Sequence, residues 1–361
     1  MRNLIRSTGI LLALAATLGM AGCGGGGSSS SKGSASTAAG VTSQAHAPLP
    51  EARAGHTAVR LKSGGVLLVG GFDTLGNPMA STVIVSSAGV TRGPALATAR
   101  AGHTAVLLST GQVLSAGGQS DDLGVDVLST TEIFDPQTQT ITAGPALSVA
   151  RANHVATTYF DGANEYVVFA GGVAALNTQT NLSPALASAE NYDVTQNNLA
   201  ALPTGLSQAQ SHAQIARLDT GDLLIVGGKD ANGPVAAQLF NPKTRTFVPL
   251  AAVAARSGAA VASRGREVLV AGGESATGIE DTTEVFDSTS KTFSAGALLG
   301  SARYEASATV VNGEIVLVGG RNKTSAVNAV ERLSGATIGA STAAGHVDLL
   351  TARYAHTATY L

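Results

Sequence analysis

"ARAGHTAVLLSTGQVLSAGG", residues 99–118, nearly repeats "ARAGHTAVRLKSGGVLLVGG", residues 52–71. Self-similarity at a fixed spacing decides architecture before any single residue does. The Gly pair that ends both stretches returns throughout the chain, at Gly70-Gly71, Gly117-Gly118, Gly171-Gly172, Gly227-Gly228, Gly272-Gly273 and Gly319-Gly320. An Arg stands three places before a His at Arg53/His56, Arg100/His103, Arg151/His154 and Arg353/His356. The fourth copy, "AQSH", is read as keeping His212 without the Arg, while the fifth and sixth keep Arg256 and Arg303 without the His. After each pair comes a second recurring piece: "TTEIFDPQTQT", "SAENYDVTQNN", "AAQLFNPKTRT" and "TTEVFDSTSKT". The chain is a six-fold tandem array.

Strands make up the unit. "HTAVLL" and "QVLSAGG" are short apolar runs split by "STG", and "TEIFD" is divided from "TQTITAG" by "DPQT", where Asp and Pro favour successive turn positions. Four short strands in about 45 residues match one blade of a propeller. Gly, β-branched residues and turn dipeptides recur too often for a helical stripe to develop.

The order His, small apolar residues, turn, apolar strand, Gly-Gly, variable loop, Glu, aromatic, Asp resembles the kelch repeat, over roughly residues 52–361. The resemblance implies an all-β, kelch-type β-propeller. Kelch repeats usually carry a Trp in the last strand; this chain has none, and Ile141, Leu199, Phe247 and Phe293 stand near that place. The array reads as six four-stranded blades plus an incomplete seventh, because the first-strand motif occurs once more in "ARYAHTATYL". Two explanations are open. The last strand could close the ring beside the first blade, or the sequence could be a fragment lacking the rest of a seventh blade. "AAGVTSQAHAPLPEAR", which resembles a last strand waiting for partners, favours the second, and the C-terminal strand is expected beside blade six and near residues 40–46.

The N-terminus reads separately. "MRNLIR", "GILLALAATLGM" and "AGC" give basic, apolar and small-residue segments in the order of a secretory signal over 1–22. The only cysteine, Cys23, stands where bacterial lipoproteins, which this segment resembles, are acylated. Residues 23–50 then form a Gly/Ser-rich tether with about 25–30 Å of slack, and 51–361 the propeller. The resemblance to sorted lipoproteins implies attachment to the bacterial outer membrane through lipid.

Composition excludes more than it assigns. Charged residues are 13% of the chain and the formal charge is −2, with no basic run to neutralise phosphates, so nucleic acid is not an expected partner. Metalloprotease, nucleophile-elbow and phosphate-loop motifs are absent. A galactose-oxidase-like copper site would need a cysteine that is already committed to lipid. Neither cofactor nor metal is expected. His56, His103, His154, His212 and His356 lie in different blades and cannot converge on one metal at about 2.1 Å. They read as ties between blades. The Arg column and the Glu column (Glu132, Glu190, Glu284, Glu331) read as structural pairs. Asp121, Asp122 and Asp126 in "QSDDLGVD" could suggest calcium, but the better reading is a solvated acidic loop.

In an up-down meander the "RAGH" entry, the Gly pair and the segment after it share one face. The long loops 72–81, 119–130, 173–188, 229–236, 274–281 and 321–328 therefore gather there, as binding loops do on rigid scaffolds. Candidate binding residues on that face are Asp73, Asp121, Asp122, Asp126, Asn177, Asn181, Lys229, Asp230, Glu274 and Arg321. The expected function is a monomeric, membrane-anchored binding module for a protein or glycan. The alternative is a sugar isomerase or epimerase using the central pocket.

Overall fold

The computed structural model of the chain describes residues 12–14, 48–121, 126–162, 164–175, 184–250, 255–334, 342–349 and 352–360. Cys23, Asp122, Asn177, Asn181 and residues 40–46 lie outside them. Among the described residues there is no helix, and six antiparallel meander sheets follow one another, spanning 57–92, 104–143, 155–201, 211–249, 260–295 and 307–348. Each is one blade of four sequential strands; blade four adds a two-residue strand, Gly233–Pro234, paired with Lys229 and Asp230.

The blades repeat because their sequence instructions repeat. The second strand is apolar on both faces and buried throughout, as in "VLLV" of Val66–Val69, while the fourth is half exposed, as in Thr140–Ala143. The turn between third and fourth strands is set by an Asp or Asn. Asp135 accepts amide bonds from Gln137 at 2.8 Å and Thr138 at 3.3 Å, and Asn241 does the same for Lys243 and Thr244. Such side-chain turns suit Asp and Asn. In the last strand, where the kelch resemblance implies a Trp, Phe247 and Phe293 pair across strands with Phe240 and Phe286, ring centroids 4.8 Å apart in both.

The core lies between blades rather than inside any one of them. Val59, Leu67 and Val69 of blade one pack with Val113 and Phe134 of blade two, and Leu224, Val226 and Leu239 of blade four with Val268, Val270 and Phe286 of blade five. A side chain such as Leu67, wholly removed from water, contributes about 1.5–3 kcal/mol. A blade alone cannot bury both faces, so the array is stable only as a stack.

The seventh position is occupied. Ala358–Tyr360 forms a strand between the inner strands of blade six, Ser307–Val311, and of blade one, Thr57–Arg60. It contributes one inner strand to a ring of seven, as an incomplete seventh blade. On its other side its backbone pairs in parallel with Leu12–Leu14.

Candidate functional site

The entry motif and the Gly pair meet on one face. In blade one Ala54 pairs with Phe72, and Phe72 with Pro78; in blade six Tyr304 pairs with Arg321, and Arg321 with Ala326. Each Gly pair also abuts the next entry motif around the ring. The amides of Gly71, Gly118, Gly172, Gly273 and Gly320 donate to the carbonyls of Arg100, Arg151, Gln210, Arg303 and Arg353 at 2.8–3.0 Å. Both glycines of a pair have positive φ, and a Cβ on Gly117 would stand 2.3 Å from the Arg151 carbonyl and 3.0 Å from the His154 ring. Only Gly fits.

The repeated charges are consumed internally. Arg100 and Arg151, with side chains fully buried, donate to the carbonyls of Gly117 and Gly171 and ion-pair with Glu132 at 2.6 Å and Glu190 at 2.8 Å. Arg256–Glu284 and Arg303–Glu331 repeat the arrangement. Three of these carboxylates also hold the linker entering their blade: Glu132 accepts the Ala97 amide at 2.7 Å, Glu190 the Ser148 amide at 2.6 Å and Glu331 the Gly300 amide at 2.9 Å. In blade one the carboxylate comes from Glu51, 3.5 Å from Arg53. In blade four the pair is neutral, Gln238 donating to Gln210 at 3.3 Å.

That pair corrects the reading of blade four. Gln210 holds the Arg position, so Ala213, not His212, holds the His position. His212 stands one place earlier, where the backbone is left-handed: φ is 61° at Gly55 and Gly102, 54° at Asn153, 57° at His212, 64° at Gly258, 54° at Glu305 and 48° at Ala355. These seven residues rim the channel. The true His column has four members, each stapled to the inner strand of the preceding blade: His103 to Thr57 at 3.0 Å, His154 to Thr104 at 2.9 Å, His56 to Thr357 at 3.0 Å and His356 to Ser307 at 2.9 Å. Burial, reinforced by the neighbouring Arg, pushes His56 and His103 down to about 3, His154 well below its ordinary value and His356 to about 4. These imidazoles are neutral ties. No group of three or more metal-ligating side chains occurs among the described residues.

The unrepeated candidates separate into two sets. Asp73 is taken up by its own loop, accepting the amides of Leu75 and Asn77, and Asp230 accepts that of Asn232. Asp126 accepts from Ser120 and donates its amide to Asp121. Lys229, Glu274 and Arg321 instead reach the mouth of the central channel, a cavity of about 430 Å³ that His212, Tyr304 and Glu305 also line. Arg321 ion-pairs with Glu305 at 2.8 Å and lies between two rings, 4.4 Å from the centroid of Tyr304 and 4.9 Å from that of Tyr354. Glu305 and the two tyrosines were not singled out from sequence, and His212 was read only as a tie between blades. Aligning the seven entry motifs as AGH, AGH, ANH, SHA, SGA, YEA and YAH would have exposed them. Below the mouth the channel continues as a cavity of about 440 Å³, lined largely by Ala and Thr of the inner strands.

A family model for the kelch motif matches residues 302–334, most of blade six. The fold is a kelch-type β-propeller. A solved structure titled "Structure of YjhT" is similar, with TM-score 0.59, 13% identity, 80% of this chain covered and 97% of that one; at this identity the likeness is one of fold. No curated protein matches the chain. Within the kelch frame the staples, buried pairs and Gly pairs are scaffold, and the mouth and outer loops are what varies from blade to blade.

Proposed function

We propose that this kelch propeller is a membrane-anchored extracytoplasmic binding module whose Gly-pair face recognises a protein or glycan. One observation carries the reading. The charges that recur from blade to blade are spent on buried pairs within the scaffold, whereas charges without counterparts, Lys229, Glu274 and Arg321, collect at the centre of the face that carries the long loops. A rigid ring presenting irregular loops is a common design for recognition. The signal-like N-terminus and Cys23 support a lipid tether. Affinity capture and a glycan array, run with the purified full-length protein, test the reading. A partner whose binding is lost when loop residues are exchanged supports it; a partner that binds a variant with all six loops shortened would overturn it. Cys23→Ser should move the protein from the membrane fraction to the soluble fraction, and detergent-sensitive sedimentation of that variant would contradict lipid attachment.

A further inference from the structure

The channel mouth is built differently on its two sides. Across blades one to three its rim is Gly55, Gly102 and Asn153, with His56, His103 and His154 filling the space below. Across blades four to six the imidazoles are replaced by Ala213, Ala259 and Ala306, three in succession, which opens the channel beneath the rim. Above that opening stand His212 and Glu305, non-Gly residues in left-handed backbone where three other blades use Gly. Strain of this kind persists where surrounding structure enforces it and gathers at functional sites. Between them stands Gly258, also left-handed, where a Cβ would touch Tyr304 and Glu305 at 3.6–3.7 Å.

Charge selects the ligand. The Arg321 guanidinium is already neutralised by Glu305 and held between Tyr304 and Tyr354 as a fixed wall. Lys229 and Glu274, on neighbouring blades of the same cavity, are exposed, and their backbones are tied to Ser211 and Ser257 while the Lys229 ammonium and the Glu274 carboxylate are in none of the ion pairs described above. A bound anion or cation would match only one of them and a neutral ligand neither, whereas a ligand carrying both charges engages Lys229 and Glu274 together. We infer that the mouth across blades four to six is a pocket for a small zwitterion, a molecule of the α-amino-acid or dipeptide class, its acidic group on Lys229 and its amino group on Glu274. The cavity volume falls within the range of about 300–1,000 Å³ usual for small-molecule sites. The pocket lies at the hub of the loop face, and the inference rests on that face being the recognition surface.

Titration calorimetry on the purified full-length protein tests this with L-alanine, L-glutamine and glycyl-L-alanine, against acetate, methylammonium and N-acetylglucosamine. Saturable binding of at least one zwitterion is expected, at least tenfold tighter than either single-charge probe. Lys229→Met and Glu274→Gln should each weaken it at least tenfold without moving the melting temperature, and Ala259→His, which refills the opening, should abolish it. If Ala259→His fails to fold, the two charge variants decide. Absence of binding by all three zwitterions, binding indifferent to both charge substitutions, or binding of N-acetylglucosamine alone would overturn the assignment.

Discussion

Thr104, Thr57, Thr357 and Ser307 each follow the His position of their own blade and serve the His of the next one. Where the next blade has no His, the hydroxyl is absent too: Val155, Gln214 and Ala260 face Ala213, Ala259 and Ala306. The staple is therefore a two-part device, and each part is present only with its partner. The buried ion pairs follow the same rule, with Gln210 and Gln238 neutral together. Removing one partner of a buried pair costs about 3–5 kcal/mol because a charge is left alone in the interior. Gln238→Glu alone should accordingly lower stability in chemical denaturation, and adding Gln210→Arg should recover most of the loss; an additive or worse double variant would contradict the pairing. The staples also set a pH dependence. Their folded pKa values lie below the ordinary imidazole value, so between about pH 6.5 and the folded values the unfolded chain binds protons that the fold refuses. Stability is thus fully present above about pH 6.5 and is lost as pH falls, by up to about 1.4 kcal/mol per pH unit for each His. Melting temperature should drop between pH 7 and 5. Replacing all four stapling His residues by Gln should flatten that slope, and a flat parent profile would sink the argument. At this scale the sequence was legible wherever a column kept its residue types. It misled in blade four, where all four motif residues had changed and a nearby His took the eye one place out of register.

At the scale of the strand, backbone geometry dictates the Gly pair. Gly118 has φ 95°, and a Cβ there would lie 2.7 Å from the Ala101 carbonyl and 2.9 Å from the His103 Cβ. Neither the conformation nor the space suits a branched residue, so Gly118→Val should destabilise by more than the ~1 kcal/mol typical of point substitutions. An unchanged melting temperature would remove this role. Strand order, turn positions and the packing of Phe247 and Phe293 were readable from local pattern because each depends on neighbours within one repeat. The channel mouth was not. Its unrepeated residues come from three repeats, and only the curvature of the ring brings Lys229, Glu274, Glu305 and Arg321 together; no spacing along the chain encodes that.

For the molecule as a whole the decisive feature is how the ring closes. The last entry motif docks as every other one does: the Gly320 amide donates to Arg353, a Cβ on Gly319 would meet the Arg353 carbonyl at 2.5 Å, and His356 staples to blade six. Blade one docks in turn on this seventh unit, the Gly55 amide donating to Ala355 at 3.0 Å and His56 reaching Thr357. From a seventh copy of the motif the sequence placed the strand beside blade six and offered closure on blade one as the alternative; the structure has both contacts, the second to residues more than 300 positions away in the chain. A double-mutant cycle on His56→Ala and Thr357→Val tests that closure most directly, with His103→Ala and Thr57→Val as the internal reference. A hydrogen bond formed across the closure predicts a coupling of about 0.5–1.5 kcal/mol, similar to the reference pair. Strict additivity at His56 and Thr357, alongside measurable coupling at His103 and Thr57, would contradict a seven-position ring.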